Sequence, residues 1–193
     1  MTGSYDYRLV TLSIVMAVCA AYAALDLAGR TSASRGRARL VWLAGGAAAM
    51  GLGIWSMHYI GMLAFQLPVP VFYDWPTVMV SLLAGIFASG VALFVVSGRR
   101  MDWVHALAGS AIMGSGIATM HYIGMAAMRL PAMCRYDSLL VVLSVVLAIV
   151  MSLIALWLSF HLREHATTAW PKKCASAVVM GTAVAAKIGR AHV

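Results

Sequence analysis

The chain has 193 residues, of which 63% are hydrophobic and only 10% charged, and its mean hydropathy is +0.89. A soluble domain carries about 25% charged residues, so this composition excludes a water-facing globular surface and implies a membrane protein. The formal net charge of +8 could suit nucleic acid, but the basic residues sit in short segments between long apolar runs. That placement argues against direct nucleic-acid binding.

A spanning helix needs about 20 mainly apolar residues. The N-terminus MTGSYDYR lacks the basic region of a cleavable leader and runs straight into the first candidate, Leu9–Ala28. Near its end Asp26 and Arg30 stand at i, i+4 spacing, which predicts an ion pair at the membrane boundary. A loop with Arg30, Arg35, Arg37 and Arg39 leads to the second span, Leu40–Phe65. The next loop, Gln66–Trp75, has neither Lys nor Arg and precedes the third span, Pro76–Ser97. Arg99 and Arg100 follow, then the fourth span, Trp103–Met128, then a loop with Arg129 and Arg135. The fifth span is Ser138–His161; Arg163, Lys172 and Lys173 come next, before an incomplete sixth run from Cys174 to Ala186.

Runs of this length without strict alternation are helices, because lipid demands internally satisfied backbones. The predicted fold is all-α, a polytopic transmembrane bundle of five full spans plus an incomplete sixth. Positive charge favours the odd loops, so these are expected in the cytoplasm and the N-terminus outside. Tyr73, Trp75 and Tyr136 then fall at the outer boundary, where interfacial aromatics belong. Cys19, Cys134 and Cys174 show no paired spacing, so neither a disulfide framework nor a zinc site is expected.

One internal repeat dominates the sequence. Met57-His58-Tyr59-Ile60-Gly61-Met62 recurs 63 residues later as Met120-His121-Tyr122-Ile123-Gly124-Met125. The likeness runs back through Met50-Gly51-x-Gly53-Ile54 and Met113-Gly114-x-Gly116-Ile117, and forward to Leu67-Pro68 and Leu130-Pro131. Each motif ends its helix on the outer side, which makes the repeat a parallel one of helix pairs. A third copy starts at Val179-Met180-Gly181 but fails before its histidine. The chain instead ends Lys187-Ile188-Gly189-Arg190-Ala191-His192-Val193. Codons for this ending can spell the start of a common sequencing-library adapter, so residues 187–193 are read as translated adapter and His192 carries no role.

On a helix His58 and Met62 share one face a turn apart, as do His121 and Met125. Imidazole with thioether is a ligand set that suits copper, Cu(I) above all. Met57 and Met120 stand beside the histidines as reserve ligands. Met stripes usually serve packing, yet ionisable residues inside a membrane are functional candidates. Two histidines in one repeated context point to a shared site. Gly45, Gly46, Gly51 and Gly53, with Gly109, Gly114 and Gly116, are expected to bring the two histidine-bearing helices together. Gly61 and Gly124 leave room beside the histidines. Tyr59 and Tyr122 suit the interfacial belt better than a ligand contact. His105, His161 and His165 have no repeat partners. The acidic residues lie mostly in loops or at span ends and form no acid–base pair, so no catalytic residue is assigned and the chain is not expected to be an enzyme.

Met57-His58-Tyr59 and Met120-His121-Tyr122, each followed by x-Gly-Met, together with Tyr22-x-x-Leu25-Asp26-Leu27, resemble the MHYT domain of bacterial membrane sensors. The resemblance covers residues 5–186. It implies a seven-helix inner-membrane domain with three motif copies, sensing oxygen, carbon monoxide or nitric oxide through bound copper. The ligand set it implies here is Met57, His58, Met62, Met120, His121 and Met125. It also implies a fused or associated cytoplasmic output domain, such as a diguanylate cyclase or cyclic-di-GMP phosphodiesterase. This chain differs in having Ile60 and Ile123 at a motif position where threonine is usual, and in lacking the third motif. Two other readings of the same residues are a haem-binding electron carrier with His58 and His121 as axial ligands and a copper transporter. The transporter needs ligands at several depths, whereas these cluster at one.

Overall fold

The computed structural model describes residues 4–66, 71–98, 102–129 and 138–165. Five long helices follow one another in chain order: α1 (Tyr7–Ala33), α2 (Gly36–Ala64), α3 (Trp75–Val96), α4 (Trp103–Ala126) and α5 (Ser138–His165). Each packs chiefly on its neighbours in sequence, and α5 also touches α1 and α3. The incomplete sixth run and the 187–193 tail lie outside the described residues, as do Cys134, Tyr136 and Cys174.

Four helices, α1, α2, α3 and α5, are long and apolar enough to cross a membrane. Helix α4 is 24 residues long and lies between α3 and α5. Its glycines, serines and two histidines lower its hydropathy, and it is packed on both sides. Large apolar side chains such as Leu83, Phe87 and Phe94 stand more than half exposed on the bundle exterior. Such a surface is stable against lipid and not against water. The chain is a membrane protein.

The helices overrun the apolar runs that announce them. The basic loop expected after the first span shrinks to Ser34 and Arg35, because α1 continues to Ala33 and α2 restarts at Gly36. Arg30 and Arg37 are therefore helical, and Gly36 takes a left-handed φ of 57° that a residue with a Cβ adopts at a cost. The expected Asp26–Arg30 ion pair is present at 2.6 Å.

Two strand pairs close the other end. β1 (Ser4–Tyr5) pairs antiparallel with β2 (Phe65–Gln66), and β3 (Phe72–Tyr73) with β4 (Met128–Arg129). The Asp6 amide donates to the Ala64 carbonyl, and the Asp74 amide donates to the Ala127 carbonyl, each at 2.9 Å. Asp6 and Asp74 also cap α1 and α3 with their carboxylates, accepting from the Arg8 and Thr77 amides. The structural repeat is therefore the closed hairpin α1–α2, followed by α3–α4. A Tyr-Asp dipeptide opens each: Tyr5-Asp6, then Tyr73-Asp74, with Tyr136-Asp137 ahead of α5.

The paired glycines do not draw α2 against α4 as expected. A Cβ on Gly51 would lie 2.5 Å from the Ile86 Cα of α3, and one on Gly53 would lie 2.9 Å from the Ala20 Cβ of α1. In the second repeat Gly114 meets Ile149 of α5 at 2.6 Å and Gly116 meets Ala88 of α3 at 2.8 Å. In both repeats the first glycine seats the following helix and the second glycine the preceding one. Helices α2 and α4 are thus held apart by α3, which packs closely on both. A buried hydrophobic cluster of Ala28, Met50, Ala92, Leu93, Val96 and Leu156 joins α1, α2, α3 and α5.

Candidate metal centre

The histidine motifs occupy the last turns of α2 and α4, at the end closed by the strand pairs. His58 Nε2 lies 3.2 Å from His121 Nδ1, one donating to the other. The rings meet edge to face, with centroids 4.8 Å apart. Helices α2 and α4 otherwise pack little on each other, and the repeat places its two imidazoles together as the motif implies. His58 is 8% exposed, and burying a polar ring at this depth is tolerated because it is hydrogen-bonded.

Met62 follows His58 by one helical turn and joins the pair. A Cβ on Gly124 would stand 3.6 Å from Met62 Sδ and 3.7 Å from His58 Nε2. Gly124 thus forms an open floor facing one thioether and one imidazole, which is the room anticipated beside the motif. Met57 is buried, and its carbonyl accepts a 2.8 Å hydrogen bond from the Ser13 hydroxyl of α1. Met125 is partly buried. Met120 is 2% exposed, but its sulfur points elsewhere: a Cβ on Gly85 of α3 would lie 3.1 Å from it. Of the six candidate residues, the structure brings His58, His121 and Met62 into one locus and aims Met120 at α3.

Aromatic and hydroxyl side chains surround this locus. Tyr59 stacks on Trp55 at 5.2 Å and meets Tyr73 edge-on at 5.4 Å. The Trp55 indole N–H donates to Ser81 Oγ at 3.0 Å, and Tyr122 is hydrogen-bonded to Ser144 of α5. Ser13, Ser81 and Ser144 each stand seven residues after the aspartate of a Tyr-Asp dipeptide. This serine register was missed by motif reading; the repeated Tyr-Asp spacing was the signal for it. Tyr59 and Tyr122 thus contact aromatic and hydroxyl neighbours within the bundle.

At the mouth, burial and then the nearness of Tyr59 raise the Tyr73 phenol above its ordinary 10.0. Hydrogen bonds from the Thr77 hydroxyl and amide, with a smaller share from Arg129, hold the Asp74 carboxyl below its ordinary 3.8. Arg129 reaches Asp74 across the β3–β4 pair at 3.3 Å. A separate cleft of about 440 Å³ between α3 and α4, lined by Ala84, Phe87, Ile112, Ser115, Gly116 and Thr119 among others, contains none of the motif residues.

Metal–imidazole bonds of about 2.0–2.1 Å at a tetrahedral angle separate two nitrogens by about 3.3 Å, close to the 3.2 Å found. Among the described residues no three His, Cys, Asp or Glu side chains gather. Beside the two imidazoles, the further soft donor at this locus is the Met62 thioether. Two borderline nitrogens with a soft thioether fit copper better than a hard cation.

A family profile described as a bacterial signalling protein N-terminal repeat, MHYT, matches residues 51–109 and again 114–170. The chain is 44% identical to the bifunctional diguanylate cyclase/cyclic di-GMP phosphodiesterase MucR of Pseudomonas aeruginosa over 184 residues, 95% of this chain and 27% of that protein. It is 35% identical to the signalling protein YkoW of Bacillus subtilis, over 94% of this chain and 23% of YkoW. It is 40% identical to the cyclic di-GMP phosphodiesterase NbdA of P. aeruginosa, over 76% of this chain and 18% of NbdA. The chain thus spans about a quarter or less of these relatives. No solved structure matches it. With two profile matches that contain both histidine motifs, the chain belongs to the MHYT family of bacterial signalling proteins.

Proposed function

We propose that this chain is the sensory input of a bacterial cyclic-di-GMP signalling protein, detecting a diatomic gas through copper held by His58, His121 and Met62. The observation that carries the reading is the 3.2 Å approach of two imidazoles contributed by separate repeats. Such pairing of buried titratable rings marks a functional site more often than a packing accident. Bound copper supplies an open-shell or soft centre to which oxygen, carbon monoxide or nitric oxide can attach. The protein's part is to fix the two rings, keep Gly124 open beside them and exclude bulk water. Rings in direct hydrogen-bond contact leave no gap for a porphyrin, which favours a small ion over haem. The candidate ligands lie at one depth, which favours sensing over transport.

The arginines of α1, α2 and their connection, Arg30, Arg35, Arg37 and Arg39, lie at the end opposite the histidines. The positive-inside rule then puts the histidine site on the outer face of the inner membrane, with the N-terminus outside. The output is a cytoplasmic domain acting on cyclic di-GMP, a reading supported by the names of MucR and NbdA. Metal analysis and an optical spectrum of detergent-purified protein, beside the His58→Ala/His121→Ala variant, test the site. About one copper per chain, lost in the variant and without a Soret band, is the expected result. A Soret band, or no metal at all, overturns the copper assignment.

A further inference from the structure

We propose that Met120 is a positioning residue and not a copper ligand, holding His121 in place by seating its thioether in the hollow of α3 at Gly85. The inference rests on the copper reading above for one of its two readouts. The motif repeat treats Met57 and Met120 as equivalents of the other sulfur donors, yet the surroundings of the sulfurs differ. Met62 Sδ lies at the Gly124 floor that also faces His58 Nε2. Met120 Sδ lies where a Gly85 Cβ would meet it at 3.1 Å, and that same Cβ would stand 3.5 Å from the Gly51 carbonyl. Gly51 precedes His58 by seven residues, about 10 Å along the axis of α2. The Met120 sulfur therefore sits deeper in the bundle than the imidazole pair, wedged among α2, α3 and α4.

This position matters because α2 and α4 scarcely pack on each other. The separation of His58 and His121 is set through α3, and Met120 is the residue next to His121 that touches α3. With its side chain 2% exposed, Met120 fills with apolar bulk the gap that Gly85 leaves on α3. On its other side α3 is tied to α2 one turn below Tyr59, by the Trp55–Ser81 hydrogen bond. Side-chain volume at position 120 is what the site needs; sulfur is what it needs at position 62.

Leucine substitution separates the two roles, since it keeps bulk and removes sulfur. Copper affinity is measured for the wild type and for Met62→Leu, Met120→Leu and Met120→Ala. The expected result is loss in Met62→Leu, a fall of about 10-fold or more in Met120→Ala as for other supporting residues, and recovery to near wild type in Met120→Leu. Affinity in Met120→Leu as low as in Met62→Leu overturns the proposal. A readout without metal keeps it separate from the copper reading: the imidazole ¹⁵N resonances of His58 and His121 in the metal-free protein. These are expected to shift in Met120→Ala and return in Met120→Leu. Unshifted resonances in Met120→Ala overturn the positioning role even if the wild type binds no copper.

Discussion

His58 and His121 stand 3.2 Å apart on two helices whose packing is otherwise indirect. Their hydrogen bond is therefore reported by the pair and not by either residue alone. A double-mutant cycle with His58→Ala and His121→Ala, read by thermal unfolding of metal-free protein in detergent, is expected to give a coupling of about 0.5–1.5 kcal/mol. Additive effects would show that the rings do not interact in the membrane protein.

The glycines divide by what a methyl group would strike. Gly51→Ala and Gly114→Ala each drive a Cβ to within 2.6 Å of backbone atoms on the facing helix, and backbone cannot rotate away. Each is expected to cost about 1–3 kcal/mol. A Cβ on Gly45 meets nothing within 4 Å, so Gly45→Ala is expected to gain up to about 1 kcal/mol from helix propensity. Equal melting shifts for all three would contradict the helix contacts described.

Gly124 tests the site without testing the fold. Gly124→Ala places its methyl at ordinary contact distances of 3.6–3.9 Å from Met62 and His58, so stability and copper uptake are expected to hold. Gly124→Leu carries bulk into the same space and is expected to abolish copper uptake while the helix content stays unchanged. Undiminished uptake in Gly124→Leu would move the metal away from this floor.

Asp74 gives the strand-closed end a pH dependence of known sign. Its carboxyl is held below 3.8 by Thr77 and, to a lesser degree, by Arg129. A depressed carboxylate stabilises the fold above its ordinary value, and that stabilisation is lost as pH falls through the lower folded value. Hydrogen exchange at the Thr77 amide, corrected for its intrinsic rate, is expected to show protection that falls away below pH 3.8. In Asp74→Asn that acid-dependent step should disappear. A step that persists in Asp74→Asn would assign it to another group.

Hydropathy located the five helices because each has an apolar run long enough to identify alone. It placed their ends poorly at Arg30 and Arg37, since charged side chains snorkel while their backbones remain helical. The histidine pair was legible because a six-residue motif repeated in one orientation leaves few other arrangements. The partners of the glycines were not, since Gly51 and Gly53 differ in facing by two residues and nothing in their identity says which helix lies opposite. Met120 illustrates the same limit. Its place in the motif equals that of Met57, but its role follows from Gly85, a residue on another helix. The hairpin phase was also missed, because Tyr5-Asp6 and Tyr73-Asp74 are dipeptides too short to register against the hexapeptide repeat.

The strand pairs at β1–β2 and β3–β4 give each hairpin the character of a closed loop, its entry and exit fastened side by side. A unit of this kind can be copied in tandem without threading, since every copy begins and ends on the same face of the membrane. Successive copies then meet their neighbours through the same glycine surfaces. Lengthening such a protein leaves the geometry of each existing unit intact, while every added motif arrives at the level of those before it. Duplication alone, with no later rearrangement, is thus enough to turn a solitary buried histidine into a cluster.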